Sequence, residues 1–104
     1  MTDENDEIIS IRYLSGSGYS SRKTKCRVET YKSGIVKYWS YNALIAFCSG
    51  PKGFIYLRGR HYSNTTSRHR HWMFRYAFPK DKHITPALSE EEFSNYAKKA
   101  GIYL

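Results

Sequence analysis

From Lys23 to Tyr31 polar and apolar side chains alternate, which places Cys26, Val28 and Thr30 on one face of an extended chain and Lys25, Arg27 and Glu29 on the other. This period of two predicts a half-buried strand with a basic outer face. Upstream, Ile8 to Leu14 is short and β-branched and runs into Ser15-Gly16-Ser17-Gly18, so it reads as a first strand closed by turn residues. Downstream, Lys32-Ser33-Gly34 offers a tight turn into Ile35 to Tyr41, which predicts a hairpin. Ala43 to Cys48 is continuously apolar and is bounded by Ser49-Gly50-Pro51-Lys52-Gly53 before Phe54 to Leu57 resumes. A second hairpin follows, with its first strand buried on both faces.

The helical signals come later. Ser63 to Ser67 is rich in hydroxyls suited to an N-cap, and Arg68 to Phe78 contains no Gly or Pro before Pro79 stops it. Pro86 precedes Ser89-Glu90-Glu91-Glu92, in which Ser89 and Glu92 have the spacing of a capping box. Phe93, Tyr96, Ala97 and Ala100 then share one helical face, Lys98 and Lys99 complement the C-terminal dipole, and Gly101 can end the helix. The predicted fold is α+β, a small antiparallel sheet of four or five strands followed by two helices packed on one face. The length of 104 residues accommodates one domain, here residues 8–104, behind an acidic flexible tail at residues 1–7.

Charge narrows the class of partner. Between Ile8 and Lys82 fifteen Lys or Arg face two carboxylates, Glu29 and Asp81, while Asp3, Glu4, Asp6 and Glu7 crowd the N-terminus. Such a body attracts polyanions, because neutralising phosphates releases condensed counterions. Ten Tyr, five Phe and two Trp are too many for a disordered basic tail and put amphipathic rings beside the cations, although a domain this small needs most of them in its core. The two cysteines, Cys26 and Cys48, fall in segments that read as neighbouring strands and are expected as reduced, buried thiols. No apolar run has transmembrane length and the acidic start is unlike a signal peptide, so no membrane association and a cytoplasmic location are expected.

Candidate chemistry concentrates between Arg58 and Trp72. On a helix over residues 67 to 77, Arg68, His71 and Arg75 fall within an arc of roughly 60° and Trp72, Tyr76, His69 and Met73 occupy the neighbouring arc. The N-terminus of this helix is an intrinsic anion site to which Thr65, Thr66 and Ser67 can add hydroxyls. The bland alternative is a capping Thr66, an aromatic side packed on the sheet and a solvated cationic side. Arg58 and Arg60 flank Gly59, where the backbone can approach a ligand closely. All four histidines lie within 23 residues, but His69 and His71 diverge by about 200° on a helix and carboxylates are scarce, so neither a metal nor a cofactor is expected.

Two segments carry a resemblance. Trp39-Ser40-Tyr41-Asn42-Ala43-Leu44-Ile45-Ala46-Phe47 and Tyr62-Ser63-Asn64-Thr65-Thr66-Ser67-Arg68-His69 together resemble a group of small uncharacterised phage and bacterial proteins with a Ser-Tyr-x-Thr-x-Ile-Ala-Phe strand and a Tyr-Ser-x-Thr-Thr-Ser-Arg/Lys-His segment. The likeness covers about a third of the chain and departs at Ala43, where the pattern has Thr. It implies a phage or mobile-element origin and points to Tyr62, Ser63, Thr65, Thr66, Ser67 and His69 without assigning them an activity.

These observations favour a small basic, non-enzymatic protein that binds DNA or RNA through Lys25, Arg27, Arg58, Arg60, Thr65, Thr66, Ser67, Arg68, His71 and Arg75. An alternative is a phage-encoded inhibitor of a host defence or replication protein, whose basic aromatic surface would meet an acidic target. A further alternative is a metal-independent ribonuclease with His69 or His71 as general acid or base.

Overall fold

A computed structural model describes residues 6–50, 53–60 and 62–103. Six antiparallel strands, β1 (Ile8–Ser15), β2 (Gly18–Ser20), β3 (Cys26–Tyr31), β4 (Val36–Ser40), β5 (Ala43–Cys48) and β6 (Ile55–Leu57), form one sheet in the order β2-β1-β3-β4-β5-β6. Helix α1 (Asn64–Trp72) continues into a π-helical turn at Met73–Ala77, and α2 (Glu90–Lys99) follows. The α+β class holds, with six strands rather than four or five. The added strand, β2, has three residues and pairs with Tyr13 to Ser15, too short to show a period in sequence.

The helices lie on opposite faces of the sheet, which corrects the expectation of one covered face. Leu14, Cys26, Val28, Tyr38, Ala46, Cys48, Ile55 and Leu57 meet Met73 and Phe78 on the first face. Tyr31, Ile35, Leu44 and Phe47 meet Leu88, Phe93, Ala97 and Ile102 on the second. Both sides of β5 are therefore buried, as its unbroken apolar run predicts. A bulge between the pairs Tyr38–Ala46 and Trp39–Leu44 makes Ile45 an extra residue and turns it toward the first core. Cys26 and Cys48 are buried free thiols, but β4 separates their strands, so they are not on neighbours. Burial pushes the Cys26 thiol up to about 12, well away from the reactive thiolate.

Residues 83–88 run along the outer edge of β6, where Ile55 N–H donates to His83 O and Leu88 N–H donates to Leu57 O, each at 2.9 Å. Gly59 closes this seam. Its N–H donates to Leu88 O at 2.8 Å, and a Cβ added there would lie 2.7 Å from Ala87 Cβ. The close approach made at Gly59 is to its own chain, not to a ligand. At the opposite edge, Ile8 to Arg12 has no outer strand neighbour among the described residues, and Ile9 is an unpaired bulge residue between the pairs Ile8–Tyr31 and Ser10–Thr30.

The last helix follows its sequence signature. Ser89 and Glu92 form a reciprocal capping box. At the other end Gly101 takes a φ of 79° and donates to Lys98 O, while Ile102 N–H donates to Ala97 O and its side chain is buried beside Phe93, a Schellman close. Of the expected acidic tail, residues 1–5 lie outside the described residues. Asp6 accepts from the backbone N–H and hydroxyl of Ser33, and Glu7 O accepts from Lys32 N–H at 2.8 Å, which anchors this end to the β3–β4 turn.

Candidate functional site

On the second face of the sheet, α2 covers β5 and β6 and leaves the start of β3 open. A cleft of about 460 Å³ lies there, lined by Tyr13 of β1, Lys23, Thr24 and Lys25 of the β2–β3 loop, Arg27 of β3, and Tyr41 and Asn42 of the β4–β5 turn. Ligand sites span roughly 300–1,000 Å³, so the volume suits a small organic group. Each wall is fixed locally. Thr24 donates its hydroxyl to Leu14 O at 2.8 Å, tying the lysine-bearing loop to β1. Tyr41 N–H donates to Lys25 O at 2.7 Å and holds the turn against that loop.

Arg27 is the most constrained cation of the cleft. Its Nε–H donates to Glu29 Oε2 at 3.0 Å, Nη1 donates to Tyr41 O at 2.8 Å, and the guanidinium lies 4.9 Å from the Trp39 ring centroid. Glu29, expected on a solvent-facing basic surface, is buried: its Oε1 also accepts from Trp39 Nε1 at 2.8 Å and from the Tyr31 hydroxyl at 3.0 Å. Paired this way, the one carboxylate of β3 points inward. Lys23 and Lys25 are exposed and form no ion pair among the described residues. The open end of this face is therefore cationic, while its other end belongs to the core.

Tyr41 stands out by its backbone. It has a φ of 55°, the one positive φ outside glycine among the described residues, at a two-residue turn closed by the Ser40–Ala43 pair. Such turns favour Gly, Asn or Asp, and the left-handed region costs a bulky residue about 1–2 kcal/mol. One face of the Tyr41 ring stacks on His69, with centroids 5.6 Å apart, yet the residue remains 46% exposed.

Beneath Tyr41, the two segments that carry the sequence resemblance meet. Ser40 donates to Thr66 Oγ1 at 3.1 Å, which leaves its oxygen to accept from His69 Nδ1–H at 2.7 Å. Trp72 also packs against His69 at a tilt, 4.9 Å between centroids. Burial first, then the Arg68 charge, lowers the His69 pKa below the usual imidazole value. Ser40 has no exposed surface, and this Ser–His pair joins α1 to β4 inside the fold.

The expected site residues divide into three groups. Lys25 and Arg27 line the cleft. Arg58 and Arg60 sit by the start of α2: Arg58 forms a bidentate pair with Glu90 at 2.7 and 2.8 Å and donates to Leu44 O at 3.1 Å, and Arg60 lies 3.8 Å from the same carboxylate. The Arg58 contact holds Glu90 below the usual carboxylate range. The third group is on α1, which starts at Asn64, ahead of the predicted first turn, because Ser63 is the N-cap and accepts from Thr66 N–H. Ser67, Arg68, His71 and Arg75 are exposed and Thr65 half-buried, whereas Thr66 is turned inward to Ser40. His69 and Met73 are buried and Trp72 and Tyr76 half-buried, so the cationic and aromatic arcs fall as the helical period predicts.

Sequence reasoning does not single out Tyr13, Lys23, Tyr41 or Asn42. Tyr41 reads as the end of a strand. The available signal is Asn42, a turn residue between two β-rich runs. Among the described residues no three His, Cys, Asp or Glu side chains gather at metal-binding distance, and no helix is long and apolar enough to cross a membrane.

A model of a family of unknown function, DUF8033, matches residues 14–95. The chain belongs to this family. The DUF8033 span begins one residue after Tyr13, and includes the rest of the cleft and the Ser40–His69 pair. No curated protein and no solved structure matches the chain.

Proposed function

We propose that the protein is a small, non-enzymatic nucleic-acid-binding protein of phage or mobile-element type. The observation that carries this reading is the cleft itself: Lys23, Lys25 and Arg27 converge on it beside the rings of Tyr13 and Tyr41, while the nearby carboxylate Glu29 is turned into the protein. Cations supply phosphate contacts and tyrosines supply flat apolar surface, the pairing that nucleic-acid grooves use. The exposed Arg68, His71 and Arg75 of α1 add a second cationic surface. The phage element of the proposal rests on the likeness of the segments around Ser40 and Thr66 to small phage and bacterial proteins.

The test is binding to short duplex DNA, single-stranded DNA and RNA across a salt series, with the Lys23→Ala/Lys25→Ala double variant alongside. Saturable binding is expected, with a logarithmic salt slope that shrinks by about 0.7–0.9 for each phosphate the variant no longer neutralises. Absence of binding to all three at low ionic strength rejects the proposal.

A second reading, an inhibitor that docks on a host protein, is favoured by a different surface. Phe54 and Tyr96 are exposed and flank Tyr56, with centroids 6.3 and 4.6 Å from it, an aromatic row away from the cationic cleft. A tight protein complex that survives high salt and is broken by Tyr96→Ala would support it over the nucleic-acid reading.

A further inference from the structure

We infer that the cleft is a receptor for one unpaired nucleotide, with the base stacked on the outer face of Tyr41 and the phosphate held between Lys23 and Lys25. The inference rests on the nucleic-acid reading and specifies what the site selects. A surface that tracks duplex phosphates needs cations alone. Here Lys23, Lys25 and Arg27 share one cleft of about 460 Å³ with Tyr13, Tyr41 and Asn42, so rings and an amide accompany the charge.

Tyr41 is the decisive residue. Its ring stacks on His69, which Trp72 meets at a tilt, so Tyr41 is supported from within the protein while the residue stays 46% exposed. A base added to the open face of Tyr41 stacks on a ring already held from behind. The backbone holds this placement through a positive φ at a position where Gly or Asn would be relaxed, and two hydrogen bonds, from Tyr41 N–H to Lys25 O and from Arg27 Nη1 to Tyr41 O, keep it there. Conformational strain that neighbouring groups maintain around an exposed aromatic ring is the pattern of a preorganised ligand contact.

The remaining lining residues have matching chemistry. Asn42 presents an amide with both donor and acceptor atoms, able to meet the hydrogen-bonding edge of a base that is not paired. Tyr13 supplies a phenol from the β1 side, and Arg27 is locked by Glu29 and Trp39 and needs no reordering when ligand arrives. Duplex DNA keeps its bases stacked internally, so it offers this cleft a phosphate alone.

The experiment measures fluorescence anisotropy of labelled dT12, rU12 and a 12-base-pair duplex at one low ionic strength, with wild type, Tyr41→Asn and Tyr41→Trp. Single strands of either sugar are expected to bind more tightly than the duplex. Tyr41→Asn, which tolerates the left-handed backbone, is expected to weaken single-strand binding roughly 5- to 150-fold, the value of one base–aromatic stack, and to leave duplex binding within about twofold. Tyr41→Trp retains the stack and is expected to bind at least as well as wild type. Unlabelled UMP or dTMP should displace the single strand at concentrations where inorganic phosphate does not. Equal affinity for single strand and duplex, an unchanged single-strand affinity in Tyr41→Asn, or displacement by phosphate as effective as by UMP overturns the nucleotide receptor while leaving nucleic-acid binding standing. No binding of any of the three probes removes the parent reading as well.

Discussion

Ser40 Oγ lies 2.7 Å from His69 Nδ1, and this contact joins the two stretches of sequence that resemble other small proteins, 29 positions apart in the chain. The serine ends β4 and the histidine is buried in α1, so the pair fixes where the helix crosses the sheet. It also sets the height of Tyr41, whose ring rests on the imidazole. A segment that reads as a catalytic or phosphate-binding motif thus has a structural role at its centre, with candidate ligand contacts around it.

The buried imidazole makes stability depend on pH. Above pH 6.5 His69 is neutral in both folded and unfolded chains; as pH falls below 6.5, the unfolded chain takes up a proton that the folded form resists. The contribution is therefore full above 6.5, declines through the interval between 6.5 and the lowered folded value, and levels off beneath it. Urea unfolding at a series of pH values from about 7.5 to about 5 should show this decline in wild type and a shallower one in His69→Gln. Equal slopes would remove His69 as its source.

Glu29 is predicted to be the most sensitive polar position. Glu29→Ala removes at once the acceptor used by the Trp39 indole N–H, the Tyr31 hydroxyl and the Arg27 Nε–H. A loss of about 2–4 kcal/mol is expected in chemical denaturation, reduced from the full cost of a broken buried pair because Arg27 is partly exposed.

At Gly59, an added methyl would meet backbone at 2.9 Å, both Ala87 C and Leu88 O, and backbone there is held by the hydrogen bonds of the β6 seam. Gly59→Ala should cost about 1–3 kcal/mol by thermal or chemical unfolding, with no direct effect on nucleic-acid affinity. An unaltered melting temperature would show that the 83–88 segment yields easily.

Arg58 and Arg68 should separate cleanly, although sequence places both in one basic cluster. Arg58→Ala breaks the bidentate contact with Glu90 and the bond to Leu44 O, so about 1–2 kcal/mol of stability should disappear. Arg68 is exposed and forms no ion pair among the described residues; Arg68→Ala should leave stability within about 0.5 kcal/mol and act on the salt dependence of binding instead. Paired denaturation and binding curves for the two variants check both halves.

Legibility follows the range of the interaction. The capping box at Ser89 and Glu92 and the closing Gly101 are local, and α2 forms where they predict. The period of α1 sorts His69 and Met73 from Arg68 and His71 even though its first turn is hidden, because Asn64, Thr65 and Thr66 look like caps when Ser63 is the cap. The second covered face is masked by composition: Lys25, Arg27 and Glu29 read as a basic outer face, yet Glu29 is buried, as is Lys37 opposite it on β4. Lys25 and Arg27 are visible as site candidates from alternation alone. Tyr13 and Tyr41 join them through strand order and one turn conformation, and neither has a trace in local periodicity.

The bulge at Ile9 has a bearing on how this chain behaves in crowded solution. Ile8, Ile9 and Ile11 are all exposed along a strand edge that no described residue covers, an arrangement that invites another chain to zip on and begin a fibre. One extra residue breaks the ladder near the start of that edge, so an incoming strand finds its register interrupted after a short run. Removing Ile9 would straighten the edge and convert a protected rim into an adhesive one, turning a single-residue deletion in a region remote from the cleft into an aggregation phenotype.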